Sequence, residues 1–200
     1  MEEDSEILRY AQELSRQISP GRPEPDTLSW DEKVPVDSVV VRYGEVKLPR
    51  GMRGRLTAED WRPLLAASII YSKDLRKEQT QGALVRLVLP AGLAEIPLVY
   101  AFLQVFKMSN GQSGIDLLLV VVAWVVFSIS LIWSFTYRLY RSLFYSADKR
   151  AAEMLGTDEL LQSLLKYRDI ASVSNVPRPF SLLPSINQRI QKLERFQRSS

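Results

Sequence analysis

The sequence of 200 residues contains no histidine and no cysteine. Without cysteine the chain cannot form disulfides, iron–sulfur clusters or a thiol nucleophile. Protein zinc sites draw on imidazole, thiolate and carboxylate ligands, and this chain offers only the carboxylates. We therefore expect no metal ion, no other cofactor and no zinc-dependent chemistry.

The chain also lacks a large excess of one charge, because 26 lysines and arginines are balanced by 23 acidic residues, for a formal net charge of +3. Domains that bind nucleic acid carry dense basic patches, and those that bind single strands add aromatic side chains that stack on bases. This chain has no such cluster, so no nucleic-acid partner is expected. Glycine-rich phosphate loops are missing too. The acidic stretch at positions 2–6 predicts that no signal peptide is present.

Two long apolar runs dominate the middle of the chain. Residues 83–106 contain only Arg86 and Glu95 as charges, and residues 115–137 contain only Asp116. Each run exceeds the roughly 20 residues that an α-helix needs to cross a hydrocarbon core of about 30 Å. The alternative is a soluble, all-helical core with two buried helices, although the second run is longer and more uniformly apolar than such helices are.

The two runs are joined by a short polar segment, residues 107–114, so they predict an antiparallel transmembrane hairpin in the lipid bilayer. The segments flanking the hairpin are basic, whereas the connecting segment carries only Lys107. The positive-inside rule then places both flanks, and both termini, in the cytoplasm. We divide the chain into a cytoplasmic N-terminal part (1–82), the transmembrane hairpin (83–137) and a cytoplasmic C-terminal helical part of the same domain (138–200).

The first predicted span contains Pro90, Pro97 and, near its middle, Glu95. Each proline removes a backbone donor and should kink the helix. An ionised carboxylate in hydrocarbon is costly unless it is paired or faces water. Glu95 is therefore either a contact site for a partner helix, a lipid or a proton, or a protonated or water-facing group in the gap that the prolines open.

Outside the apolar runs, helical periodicity and cap signals predict five helices. Thr57, Thr157 and Ser185 are the expected N-caps, and Gly156 is the expected stop of one helix. The predicted helices cover residues 5–19, 59–79, 138–155, 158–167 and 186–196. Valine-rich residues 36–43 and 46–48, on either side of Gly44, predict a small β-hairpin. The expected fold class is mainly α with a small β-hairpin, in a membrane protein whose two-helix hairpin is inserted in a helical domain.

Three segments, in this order around the apolar runs, resemble the HtpX-like family of membrane zinc metallopeptidases. Residues 56–66, with Trp61, look like the segment leading into the HExxH helix of that family. Residues 141–152 look like its ExxxD helix. Residues 183–190 look like its final helix, in which an arginine lies one turn from the start. The resemblance implies a metallopeptidase-like helical domain that holds the membrane hairpin.

In an HExxH helix two histidines at i and i+4 hold zinc on one face, and the glutamate activates water. By the resemblance, Ala67 and Tyr71 stand at the histidine positions and Ser68 stands at that of the glutamate. Phe144 stands where the glutamate ligand of the second helix is expected, and only Asp148 is retained. The resemblance therefore implies a degenerate member of the family, a pseudopeptidase that is not an enzyme.

Two packing expectations accompany this interpretation. Ala67, Ile70 and Phe144 should fill the space of the missing ion, and Tyr71 should donate a hydrogen bond to Asp148. No base is placed to activate Ser68, so metal-free hydrolysis is the weakest of the functional hypotheses.

The expected function is that of a catalytically inactive binding or regulatory partner of a membrane peptidase or of membrane-protein clients. A β edge carrying Val39, Val41 and Tyr43 would bind extended peptide by strand addition. The alternative is an accessory or scaffold subunit of a larger membrane protein complex, which would be contacted through Glu95 and Gly92.

Overall fold

The structure, a computed structural model, describes residues 2–35, 38–42, 44–108, 114–172 and 184–199. In these ranges the chain is mainly helical, with one small sheet. The helices are α1 (Glu2–Ile18), α2 (Ala58–Ile69), α3 (Arg76–Met108), α4 (Gly114–Leu155), α5 (Thr157–Ser172) and α6 (Ile186–Ser199). The strands are β1 (Thr27–Asp31), β2 (Val40–Arg42) and β3 (Glu45–Pro49).

The sheet has three strands in the order β1-β3-β2. Strands β2 and β3 are antiparallel, with Val41 opposite Val46, and this part confirms the predicted hairpin. Strand β1 adds in parallel, with Trp30 beside Leu48, and was not predicted. The local pattern of β1 is too short to indicate a strand, and its place depends on tertiary contacts. Parts of the predicted first strand, at residues 36, 37 and 43, lie outside the described residues.

Two compact units make up the chain, and the first consists of Met1–Lys77 with Arg141–Ser200. In this unit α1 packs on α2, α2 on α5, and α5 on α6. Helix α1 buries Ile7, Ala11 and Leu14, which share one face at helical spacing. The acidic N-terminal helix therefore docks on this unit.

Helix α2 begins with the predicted capping box. The Thr57 hydroxyl accepts from the Asp60 amide at 3.3 Å, and the Asp60 carboxylate accepts from the Thr57 amide at 3.2 Å. The predicted helix over residues 59–79 is interrupted by a π-helical turn, Ile70–Asp74, closed by the Leu75 amide on the Ile70 carbonyl. One extra residue rotates all later side chains by about 100°, so a periodicity read across it loses its register.

The second unit, Glu78–Tyr140, contains most of α3 and the first part of α4. Among the described residues one helical segment, Leu118–Leu155 of α4, is long and apolar enough to cross a membrane. The described apolar part of α3 is shorter, Val88–Gln104. A two-helix transmembrane hairpin therefore stays a prediction.

Helices α3 and α4 are linked within this unit by the Trp124 indole, which donates to the Ala94 carbonyl at 3.0 Å. Many large apolar side chains on both helices are exposed, among them Val88, Leu93, Ile96, Leu118, Leu119, Val126, Ile129 and Trp133. The apolar segment of α4 is not buried within the described part of the chain, whereas the alternative of a soluble core expected two buried helices. Helix α4 ends where predicted, because Gly156 follows it with φ 107°.

Candidate functional site

The site lies in the first unit and is built around a buried ion pair. Arg189 of α6 donates through Nε and Nη2 to the two carboxylate oxygens of Asp148 on α4, at 2.9 and 2.6 Å. The side chains are only 5% and 2% exposed. Such a bidentate pair satisfies the planar guanidinium and the carboxylate together, which is the geometry that two charges need when they leave water.

The faces that carry this pair are otherwise apolar. On α4 the adjacent Ala147 and, one turn further on, Ala151 and Ala152 are buried. On α6 Arg189 occurs in a buried stripe formed by Ile186, Ile190 and Leu193. The side chains that flank Asp148 and Arg189 on these two helix faces are small or aliphatic. The carboxylate and the guanidinium therefore satisfy each other's hydrogen bonds.

Phe144 occupies the space next to the ion pair. The Arg189 guanidinium lies 4.8 Å from the centroid of the Phe144 ring, a cation–π distance. On the same ring, Tyr71 makes a tilted contact with the centroids 5.1 Å apart. The Phe144 ring is thus held between a cation and an aromatic ring.

Only a small cavity, of about 10 Å³, remains at the centre of these contacts. A cavity of this volume holds one water molecule at most. Four helices and the segment before β2 supply the lining, which consists of Val39, Leu64, Ala67, Ser68, Phe144, Tyr167 and Arg189. Of the five positions that the resemblance singles out, Ala67, Ser68 and Phe144 line this cavity. The other two lie beside it, because Tyr71 contacts Phe144 and Asp148 binds Arg189.

Ser68 serves as a structural donor. Its Oγ donates to the Val39 carbonyl at 2.8 Å, which fastens α2 to the segment leading into β2. The lining contains no imidazole, amine or carboxylate that could take a proton from this hydroxyl. The arrangement thus lacks the nucleophile–base pair of a hydrolase.

Tyr167 of α5 closes the cavity. Its hydroxyl is buried and has no hydrogen-bond partner within the described part of the chain. Burial raises the pKa of Tyr167 well above its ordinary value. Its ring meets the edge of Trp61, which in turn meets Trp30, with centroids 5.9 Å apart in both pairs. This aromatic row connects the cavity to strand β1.

A zinc ion does not suit this set of residues. A metallopeptidase centre needs three protein ligands from imidazole or carboxylate groups. At the positions that the resemblance assigns to ligands the chain has a methyl group, a phenol and a phenyl group, and the Asp148 carboxylate is bound by Arg189. In the ranges that the structure describes, no three acidic side chains are grouped so that they could hold a metal ion.

The remaining expectations concern single residues. Tyr71 was expected to donate to Asp148, but the donors on both carboxylate oxygens belong to Arg189. Val39 lines the cavity, Val41 is buried, and Tyr43 lies outside the described residues. In the second unit Glu95 is exposed on α3.

Arg189 and Tyr167 were not assigned to the site from the sequence. A signal for Arg189 existed, because an arginine at i+3 and a leucine at i+7 share the face of Ile186 on α6. Asp148 is the one acidic residue on the alanine-rich face of α4, and a buried carboxylate needs a positively charged partner. Arg189 is that partner. For Tyr167 no comparable signal exists, since a tyrosine in an amphipathic helix is common.

Comparisons of the chain with protein-family models, with curated proteins and with solved structures found no match.

Proposed function

We propose that the protein is a catalytically inactive relative of HtpX-like membrane metallopeptidases, which binds or regulates a membrane peptidase or membrane-protein clients. One observation carries the proposal: positions that the resemblance assigns to the zinc centre meet around a cavity of about 10 Å³ that lacks metal ligands. Ala67 and Ser68 of α2 and Phe144 of α4 line this cavity together, which supports the proposal. Hydrolysis is not part of the proposed function.

The same contacts explain how such a site stays folded without a metal. A structural ion contributes stability that its loss removes. Here the Phe144 ring and the Asp148–Arg189 pair connect α2, α4 and α6, which a metal centre would otherwise hold. The proposed loss of catalysis is therefore accompanied by replacement contacts.

Anchoring by a two-helix membrane hairpin, with both termini cytoplasmic, belongs to the proposal. It is supported by the apolar segment of α4, by exposed apolar side chains on α3 and by the basic flanks. The chain has no cysteine, so single cysteines can report its topology directly. We expect Gln17→Cys and Gln191→Cys to react with an impermeant maleimide from one side of the membrane, and Ser113→Cys from the other. Labelling of positions 17 and 113 from the same side would contradict two spans.

Peptide binding is proposed at β2, which lies at an edge of the sheet. An edge strand offers backbone donors and acceptors to an added strand. The Val39 carbonyl already accepts from Ser68, so an added peptide would pair mainly with Val40–Arg42. The Arg42 side chain is exposed, so a probe can be placed at this position of β2.

The test places a photo-crosslinking amino acid at Arg42 and, as a matched control, at the exposed Thr27 of β1 on the other edge. We expect Arg42 to capture a membrane peptidase or another membrane protein in native membranes, and Thr27 not to. Equal capture, or none, at the two positions would contradict strand addition. Chelator-sensitive cleavage of unfolded casein by the pure protein would overturn the whole proposal.

A second candidate is an accessory or scaffold subunit of a larger membrane complex. It is favoured by the surface of α3, where Glu95 is exposed and a Cβ added at Gly92 would meet no atom within 4 Å. Gly92→Leu therefore adds bulk without disturbing the chain itself. If this candidate is right, Gly92→Leu and Glu95→Gln release the co-purifying chains. Under the first candidate those variants retain them, and Phe144→Ala releases them.

A further inference from the structure

A groove of about 400 Å³ runs along α3 and α4 inside the second unit. Among its described lining residues one is charged, Arg86, and the others are apolar. Those on α3 are Val85, Leu89, Pro90, Leu93, Ala94 and Pro97, and those on α4 are Phe127, Leu131 and Phe135. The groove is apolar along its length and carries one positive charge. It is therefore complementary to a lipid with apolar acyl chains and a negatively charged headgroup.

The α3 wall of the groove is one stripe of the helix. Arg86, Pro90, Leu93 and Pro97 follow one another at spacings of four, three and four residues, which keeps them on one face. At 1.5 Å per residue, Arg86 and Pro97 are about 16 Å apart along the axis. This is close to half of a hydrocarbon core of about 30 Å, the depth that an acyl chain occupies in one leaflet.

Arg86 is available to an external anion. Its side chain is exposed, and among the described residues no carboxylate pairs with it. Glu95 cannot do so along the helix, because nine residues at about 100° each place it on the opposite face. Arg86 also lies near the start of the apolar run, the depth at which lipid phosphates are found.

We propose that this groove binds one anionic phospholipid, with an acyl chain along Pro90, Leu93 and Pro97 and the phosphate on Arg86. The inference rests on the membrane anchoring proposed above. A guanidinium binds phosphate through paired N–H donors, so the headgroup is held in a fixed orientation. Anionic lipids are concentrated in the cytoplasmic leaflet, the side to which the basic flanks assign this end of α3.

The test is lipid binding to the delipidated full chain in mild detergent, measured by native mass spectrometry. The probes are phosphatidylglycerol and diacylglycerol with identical acyl chains, because diacylglycerol lacks the phosphate that Arg86 would bind. One charge-assisted contact corresponds to a preference for phosphatidylglycerol of about tenfold or more. We expect Arg86→Gln to abolish the preference and Arg86→Lys to retain part of it. Leu93→Trp, which fills the groove, should weaken binding of both lipids.

The matched control is Arg138→Gln, which removes an exposed arginine of the same unit that does not line the groove. It should leave the preference within about twofold of the parent, far below the loss from removing a direct charged contact. Equal binding of the two lipids, or an unchanged preference in Arg86→Gln, would overturn the lipid site. So would disulfide-linked dimers of Leu93→Cys, which would assign the groove to a second copy.

Extraction with alkaline carbonate distinguishes an error in the proposed membrane anchoring from an error in the lipid site. A chain that alkaline carbonate releases from membranes contradicts the membrane hairpin itself. A chain that resists carbonate but shows no lipid preference contradicts the groove site alone.

Discussion

Arg189 and Asp148 are 41 residues apart in the sequence, yet two hydrogen bonds of 2.9 and 2.6 Å join their side chains in the interior. The pair connects the last helix to α4 and stands where the resemblance expects a supporting aspartate beside a metal. Removing two charges from water is costly, so the stability of the region depends on both partners being present.

Loss of one member of this pair should be far more harmful than loss of both. Asp148→Ala leaves a buried guanidinium without its partner, and we expect a free energy of unfolding lower by about 3–5 kcal/mol. Adding Arg189→Met should restore a large part of that loss, because the unpaired charge is then gone. Urea unfolding of the full chain in mild detergent measures both values.

The exposed ion pair of Lys149 and Glu153, at 3.8 Å, provides the control. Glu153→Gln should change the free energy of unfolding by less than about 1 kcal/mol. Equal losses in the single and double variants at Asp148 and Arg189 would show that the two residues are not energetically coupled.

The proposed correspondence of Ala67, Tyr71 and Phe144 to zinc ligands can be tested by introducing ligands at these positions. Ala67→His, Tyr71→His and Phe144→Glu together should bind one Zn²⁺ per chain. Zinc at 100 times its dissociation constant would raise the stability of this variant by about 2.7 kcal/mol. Equilibrium dialysis gives the stoichiometry, and thermal unfolding with and without zinc gives the stabilisation.

Its matched control moves one histidine by a single position, to Ala66, a change of about 100° around the helix. This control should not bind zinc with the same stoichiometry. Equal binding by the two variants would contradict the assigned register, and stoichiometric zinc in the parent chain would overturn the proposal that the centre is lost.

The cap of α2 should make stability depend on pH in acid. Burial raises the pKa of Asp60, but hydrogen bonds from Lys166 and Thr57 outweigh it and leave this pKa below its ordinary value. A lowered folded-state pKa stabilises the fold above the unfolded value of about 3.9, and this contribution is lost as pH falls through the folded value. Asp60→Asn removes the titrating group.

We expect the difference in melting temperature between the parent and Asp60→Asn to be constant near neutral pH and to shrink below about pH 4. Thermal unfolding of both proteins across this range provides the measurement. Lys166→Met, which removes the 2.6 Å contact with Asp60, should reduce the same difference. A difference that grows on acidification would reverse the sign and contradict the assignment.

Removing the hydroxyl of Tyr167 should stabilise the fold. Its buried hydroxyl lacks a partner within the described residues, and an unsatisfied buried polar group costs about 1–3 kcal/mol. Tyr167→Phe should therefore raise the free energy of unfolding by about 1 kcal/mol, as measured by urea unfolding. Tyr167→Leu, which also removes the edge contact with Trp61, should lower it. A loss of stability in Tyr167→Phe would show that the hydroxyl has a partner, such as a water molecule in the cavity.

The features that the sequence predicted correctly are those set by neighbouring residues. The capping box at Thr57 and Asp60, the helix stop at Gly156 and the β2–β3 hairpin depend on contacts a few residues apart. A long run of apolar side chains likewise identifies α4 as long enough to span a membrane, because length and composition are local properties. The absence of histidine alone rules out the HExxH chemistry.

Tertiary structure decided which distant residues meet. Strand β1 exists because β3 offers a backbone edge to it, and Trp30 is held by the Asp4 carboxylate of α1 at 2.9 Å. Helical spacing places Arg189 on the buried face of α6, but it does not select Arg189 over the other arginines as the partner of Asp148. Only the approach of α6 to α4 selects Arg189, because buried charges are tolerated where their geometry is complementary, and that geometry exists only once the helices have packed.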